Sequence, residues 1–245
     1  MTKKPDTVVL LHGLAGYGGE WTALANLLDQ RTIAFDLPGH GSAERRPADV
    51  THAGRVAATV DVIRALDAGP VVLVGQSLGG ITALLTAAAH PELVERLVLV
   101  EASPGRPDDA THTDIEEWLA SWPVPFASRE EAVSFLGSEA WADGLSDDLR
   151  PRFDPDIMVA MITDHNLRPY WTEWSQVRCP ILVVLGEKGI IPAEDVAEMR
   201  RTRPDAEIHV VPGAAHDVHL DNPQALHTLL TTWLNGPRSG PPQGR

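Results

Sequence analysis

The sequence predicts a doubly wound α/β fold with a mostly parallel sheet flanked by helices, and three observations carry that expectation. Six short β-branched or leucine-rich runs alternate with stretches of helical periodicity, and each run has the length of one buried strand. The chain has 245 residues and is 43% hydrophobic, which is enough to bury one sizeable core without disulfide or metal staples. One interval, 104–176, breaks the alternation with helical patterning and no convincing strand, and it reads as an insertion.

In chain order the strand-like runs are Val8–Leu11, Thr32–Phe35, Val71–Val74, Leu97–Val100, Ile181–Leu185 and Glu207–Val211. Helical spacing is clearest over Arg55–Leu66 and Gly80–Ala89, and Pro91 closes the second of these. Strands alternating with helices place ligand sites at the carboxyl ends of the strands, so the residues just after each run are where chemistry is expected. Residues 1–103 and 177–235 then form the core, 104–176 a helical cap, and 236–245 a disordered tail rich in Gly and Pro. The cap interval holds five of the seven tryptophans, Trp118, Trp122, Trp141, Trp171 and Trp174. Two readings stay open: the first four line an apolar substrate pocket above the strand ends, or the tryptophans are the insertion's own small core.

Composition narrows the partners. With 20 basic and 34 acidic residues the net charge is −14, which repels nucleic acid and anionic membrane alike. No apolar run approaches the ~18 residues of a spanning helix. Lys3 and Lys4 are followed only by the short run Val8–Leu11, so a secretory h-region is missing and a cytoplasmic protein is expected. The single cysteine, Cys179, has no internal partner, and no Cys/His array suggests a metal. Glycines 13, 16, 18 and 19 loosely suggest a nucleotide loop, but no lysine follows and the G-x-G-x-x-G spacing does not fit. No cofactor is implied. The expected partner is a small-molecule substrate, and a homodimer is left open.

The run Val71–Val74 leads into Gly75-Gln76-Ser77-Leu78-Gly79-Gly80 and then a helical pattern, which is the strand-turn-helix setting of a G-x-S-x-G elbow. Such a turn strains the serine backbone and admits only small neighbours. It holds the Ser77 hydroxyl at the top of the sheet beside a helix N-terminus. A serine hydroxyl needs a base. His216, in Gly213-Ala214-Ala215-His216 after the last strand-like run, lies on the same sheet edge and is the candidate. His219 reads as a plain loop or helix-entry histidine, since nothing completes a metal set around it. Oxyanion donors are expected from the Leu78 amide and, across the first loop, from Leu14 after Gly13.

Four motifs in order, His12-Gly13, Asp36-Leu37-Pro38-Gly39-His40-Gly41-Ser42, Gly75 to Gly80 and Gly213 to His216, resemble those of the α/β-hydrolase fold superfamily. The resemblance covers nearly all of the chain outside the insertion and the tail. It implies an eight-stranded sheet, a lid after the sixth strand and a serine–histidine–acid triad. It does not fix the substrate, because the same scaffold carries esterases, lactonases, carbon–carbon bond hydrolases, lyases and cofactor-free haloperoxidases.

The chain departs from the common pattern where many members carry the acid, three residues beyond a glycine. Here the stretch reads Gly186-Glu187-Lys188-Gly189, and a glycine cannot orient an imidazole. Glu187 and Asp195 are nearby carboxylates, and Glu101 is the better candidate. It closes the run Leu97–Val100, where some members, including haloalkane dehalogenases, are known to place the acid. Those use an aspartate nucleophile and this chain has Ser77, so only the acid's placement is shared. A carboxylate ending an apolar strand is costly without a partner, and His216 would be that partner. Alternatively, Glu101 caps the insertion's first turn or pairs with an arginine such as Arg106. Asp36 and His40 read as structural groups of their turn, and Glu20 and Trp21 border either the pocket entrance or the first helix.

The leading expectation is a serine hydrolase acting through an acyl-enzyme on an ester or related acyl bond of a small, largely apolar substrate. Two others stand beside it: a cofactor-free lyase or carbon–carbon bond hydrolase on the same scaffold, and a non-catalytic small-ligand receptor that has lost its acid.

Overall fold

A computed structural model of the chain describes residues 7–105 and 109–236. All six aliphatic runs form strands in it: β1 Thr7–Leu11, β2 Arg31–Ala34, β3 Val71–Gln76, β4 Val94–Val100, β5 Ile181–Gly186 and β6 Glu207–Val211. They make one sheet in the order β2-β1-β3-β4-β5-β6, parallel throughout. The sheet therefore has six strands among the described residues, not the eight implied by resemblance. Two more strands would need two further apolar runs, and the remaining aliphatic segments are helical. The expected tail, 236–245, lies outside the described residues after Gly236.

Every residue of β1 and β3 is buried, as expected where helices cover both faces of a parallel sheet, whereas the edge strands β2 and β6 are partly exposed. Alternate side chains separate into two layers because successive residues of a strand point to opposite faces. Val9, Leu11, Leu73, Leu97, Leu99 and Val183 pack on one face; Val8, Leu10, Val72, Val74, Val98 and Leu182 pack on the other. The helices between strands are α1 Thr22–Ala25, α2 His52–Ala65 and α3 Leu78–Ala89. The Thr51 side chain caps α2 by accepting from the Gly54 amide.

Between β4 and β5 the chain is helical: α4 Asp109–Ala120, α5 Arg129–Leu136, α6 Glu139–Ala142, α7 Pro155–His165 and α8 Trp171–Gln176. Ser128 caps the start of α5 on the Glu131 amide, and Gly137, at φ 74°, ends it in the left-handed conformation. These helices have their own core of Leu119, Trp122, Phe126, Leu136, Phe153 and Met158, into which Leu78 also packs. Arg45 and Arg46 bridge from the loop after β2 to Asp154, each at 2.6 Å. At the far end α8 packs against α3, within the core layer on one face of the sheet. Trp174 is fully buried there, its indole N–H donates to Thr202 Oγ1 at 3.1 Å, and the Arg203 guanidinium donates to the Val177 carbonyl at 2.8 Å. The remaining helices are α9 Ala193–Thr202, α10 Val218–Asp221 and α11 Pro223–Asn235. Among the described residues no helix is long and apolar enough to cross a membrane.

Strand register brings the candidate site residues to one place. Gln76 pairs with Val100, Val100 with Val184, and Gly186 with Val211, so the carboxyl ends of β3, β4, β5 and β6 lie at one edge. Ser77, Glu101 and the loop carrying His216 leave the sheet there.

Trp174→Ala removes the largest fully buried side chain of the α8 contact and should cost about 3–5 kcal/mol, read as a lower denaturant midpoint with native-like circular dichroism.

Candidate active site

Ser77 occupies a strained turn. Its φ is 51° and ψ is −121°, unusual for a side-chain-bearing residue and worth roughly 1–3 kcal/mol of strain. The turn is held on both sides: the Ser77 amide donates to the Val100 carbonyl at 3.0 Å, and the Ser77 carbonyl accepts from the Gly80 and Ile81 amides. Leu78 is the first residue of α3, so its N–H has no intrahelical partner. The loop after β1 comes close. A Cβ at Gly13 would lie 2.1 Å from Gln76 Oε1 and 3.3 Å from Ser77 Cβ, so only glycine lets the Gly13–Leu14 backbone approach the serine.

That loop is pinned by two buried histidines. The Leu37 amide donates to His12 Nε2 at 2.9 Å, so His12 keeps its proton on Nδ1, which faces the Gly13 carbonyl at 2.8 Å. The Ala15 amide donates to His40 Nε2 at 3.2 Å, and His40 Nδ1 faces the Pro38 carbonyl at 3.0 Å. Burial holds both imidazoles below their ordinary pKa, His40 at about 3, so both rings are neutral and accept these bonds. Asp36 accepts the Gly18 amide and the Ser42 amide and hydroxyl, each at 2.7 Å. Its partial burial raises its pKa, but those bonds outweigh burial and hold the carboxyl below the usual range.

Glu101 lies one residue past the Gln76–Val100 pair, as Ser77 does, and it too has positive φ, 47°. Its carboxylate is buried, with the residue 1% exposed. Three donors surround it: the Gly186 amide at 2.7 Å, the Ile190 amide at 3.0 Å and His216 Nδ1 at 3.3 Å. A Cβ at Gly189 would fall 2.1 Å from Glu101 Oε1. The Glu101 carboxylate thus fills the space beside Gly189, where a side chain would otherwise stand. The other two carboxylates are engaged elsewhere: Glu187 accepts the Gly213 amide at 2.8 Å, and Asp195 accepts the Ser103 hydroxyl. Arg106, the alternative partner for Glu101, lies outside the described residues.

The His216 loop is braced by groups that motif reading did not single out. Gln76, adjacent to Ser77 and buried at the end of β3, donates through its side-chain amide to the His216 carbonyl and to Asp217 Oδ1, both at 3.2 Å. Asp221 accepts the Ala215 amide at 2.7 Å, and the Lys188 amide donates to the Ala214 carbonyl at 2.9 Å. A polar residue in an otherwise apolar strand is the signal that could have found Gln76.

A cavity of about 370 Å³ opens on Ser77, Leu78 and Glu101, with Ile81, Ile115, Ile162, Ile190 and Ile191 on its walls. The tryptophans lie apart from this cavity, and Trp122 and Trp141 instead border a separate small pocket with Tyr17, Glu20 and Phe153. Trp118, Trp122 and Trp141 pack edge-on or tilted against one another at 5.2–6.1 Å between ring centroids among the helices between β4 and β5, and Trp171 packs against the larger core layer. No tryptophan is among the described lining residues of the Ser77 cavity. Flat rings of this size are the cheapest way to give a short helical insertion a core of its own.

His219 stands at a helix entry, as the second residue of α10, but it is not a solvent-facing one. It is fully buried, stacks on Trp21 at 4.4 Å and lies 3.4 Å from Glu20 Oε2. Burial pushes Glu20 up to about 8 and His219 down to about 4, so the pair is neutral near pH 7. Trp21 sits in the sheet core beneath it, so neither Glu20 nor Trp21 borders the Ser77 cavity.

A model of the alpha/beta hydrolase family matches residues 8–229. The sn-1-specific diacylglycerol lipase ABHD11 of Mus musculus is 29% identical over 249 residues, which span 93% of this chain and 80% of the relative. Esterase Rv0045c of Mycobacterium tuberculosis is 28% identical, over 91% of this chain and 80% of its own length. The solved structure of an E-2-(acetamidomethylene)succinate hydrolase superposes with a TM-score of 0.86 at 23% identity, covering 94% of this chain and 91% of that one, and shows a shared fold.

In the folded chain Glu20 keeps its proton up to about pH 8, whereas unfolded it releases it at an ordinary carboxylate value. Between those limits the folded state binds more protons, so this group makes stability fall as pH rises. Glu20→Gln removes that slope, and its thermal midpoint should gain on the parent's steadily from about pH 5 to about pH 8. Midpoints that move in parallel would show that Glu20 is ionised. Gly189→Ala should displace the Glu101 carboxylate and lower the thermal midpoint, because the added methyl meets Glu101 Oε1 at 2.1 Å.

Proposed function

The chain belongs to the alpha/beta hydrolase family, and from that premise we propose that it is a serine hydrolase cleaving an ester of a small, largely aliphatic substrate through an acyl-enzyme. Ser77 Oγ attacks the acyl carbon while His216 Nε2 takes its proton. Glu101 accepts from His216 Nδ1–H, which orients the imidazole and supports the imidazolium that forms. The amides of Leu14 and Leu78 donate to the oxyanion. As the tetrahedral intermediate collapses, His216 returns the proton to the leaving alcohol. Water, activated by the same imidazole, then releases the acid and restores Ser77.

The observation that carries this reading is the 3.3 Å contact of His216 with a buried carboxylate that leaves the sheet in register with Ser77. Two further facts support it. The isoleucine-rich walls of the cavity suit an aliphatic group, and relatives matching over more than nine-tenths of the chain bear the names lipase and esterase.

A short-chain p-nitrophenyl ester should give a burst of product, and a fluorophosphonate should label the parent and not Ser77→Ala. Glu101→Gln should lower kcat on the order of 10⁴-fold, the scale of an imidazole that loses its orienting carboxylate. Glu187→Gln should remain within about twofold of the parent, because its carboxylate holds only an exposed loop amide. Collapse in Glu187→Gln with activity retained in Glu101→Gln would move the acid to Glu187.

A further inference from the structure

The Ser77 cavity is aliphatic along most of its wall, yet Ser103, His165, Glu194 and Asp195 also border it and the acyl-transfer scheme leaves all four idle; His165 and Asp195 are the two candidate ligand contacts. His165, the last residue of α7, comes from the cap. Its Nδ1 lies 3.2 Å from His52 Nε2, and its ring stacks on Tyr170 with planes 8° apart. His52 is buried at the start of α2, and its backbone amide donates to Asp164 Oδ2 at 2.7 Å. Because Nδ1 of His165 is engaged on that side, the ring edge carrying Nε2 is the one free to meet a ligand. Burial lowers both pKa values, His165 to about 4 and His52 to about 2, so each ring carries one proton near pH 7. His52 Nδ1 is buried without a partner, which disfavours a proton there; with the His52 proton on Nε2 and donated to His165 Nδ1, the His165 proton sits on Nε2.

Asp195 comes from the core, in the first turn of α9. Its Oδ2 accepts the Ser103 hydroxyl proton, and Ser103 Oγ accepts the Gly105 amide at 2.9 Å. A Cβ at Gly105 would fall 2.0 Å from Asp195 Oδ2, so backbone packs directly against the carboxylate and holds it in place. Oδ1 remains for a donor in the cavity.

We propose that His165 and Asp195 are the specificity element of this cavity and select a substrate bearing a hydroxyl group on an otherwise aliphatic ester. A hydroxyl combines the two capacities this pair calls for on one oxygen: it can accept from His165 Nε2–H and donate to Asp195 Oδ1. A carboxylate there would face Asp195 and Glu194, both on the cavity wall, and an ammonium could not accept from the imidazole. The proposal rests on reading this cavity as the substrate site. A polar pair built into an apolar pocket discriminates because a substrate lacking the hydroxyl leaves both groups desolvated and unpaired.

Binding tests this without turnover. Ser77→Ala protein is titrated calorimetrically with methyl ω-hydroxyalkanoates and ω-hydroxyalkyl acetates of four to eight carbons, each beside its deoxy parent. At least one hydroxylated ester should bind about tenfold more tightly than its parent, although its added hydroxyl makes it less hydrophobic. His165→Phe and Asp195→Asn, each placed in the Ser77→Ala background, should each bring that ratio within about twofold of unity. Equal binding across every pair overturns the proposal, with no further variant needed, and so does a preference that survives both substitutions. Turnover by the parent enzyme is read separately. Hydrolysis with no hydroxyl preference in binding overturns this inference and leaves the serine hydrolase standing. A hydroxyl preference lost in both variants, with no hydrolysis or fluorophosphonate labelling, upholds the pair and overturns the hydrolase.

Discussion

A carboxylate taken out of water must be surrounded by donors, and the way Glu101 meets that demand organises the whole edge of the sheet. Its three donors come from two different segments: the Gly186 amide at the end of β5 with the Ile190 amide from the loop that follows, and His216 from the loop after β6. The carboxylate therefore binds three strand ends together. It can do so because Glu101 departs from β4 at positive φ, turning its side chain toward β5 instead of continuing the strand. Gly189 is the counterpart of that turn, leaving the space the carboxylate fills. Glutamate and glycine form one steric unit, so neither position can be understood alone.

The same logic extends to the opposite flank of Ser77, where the buried groups are neutral imidazoles. His12 and His40 each accept a backbone amide and face a carbonyl, which fixes the Gly13–Ala15 backbone beside the serine without placing a charge there. Asp36 ties the adjoining turn to the segment after β1 by taking the Ser42 amide from the one and the Gly18 amide from the other. Buried polar residues on both flanks of the serine thus serve to hold loops whose backbone geometry matters, and each has its partner supplied by a different segment of chain. The cap adds the remaining wall. It has an aromatic core of its own, and α7 presents Ile162 and His165 to the cavity.

Much of this was legible in residue order. The six runs became the six strands, with ends shifted by no more than a few residues. The inner ones were clearest because a strand buried on both faces must be largely apolar, while the partly exposed edge strands β2 and β6 carry polar residues as well. The elbow around Ser77 was readable because the turn tolerates only small neighbours. Where expectation came from resemblance and not from the residues, it overreached: eight strands were implied and six are present among the described residues. The tryptophans left two readings open for a different reason. A large apolar side chain has the same sequence signature whether it lines a cavity or fills a core, and only the packing of Trp118, Trp122 and Trp141 on one another separates the two.

By itself the sequence determined the local geometry: which segments are buried strands, where the chain turns sharply at Ser77, and that position 189 offers no acid. These follow from side-chain size, branching and periodicity, which act over a few residues. Only the tertiary structure decided which carboxylate faces His216, that Gln76 braces the His216 loop, and that His165 and Asp195 border the cavity that opens on Ser77. Those pairings join residues up to about 140 positions apart. They depend on strand register and on which buried polar group reaches a partner first, and neither leaves a periodic trace in the chain.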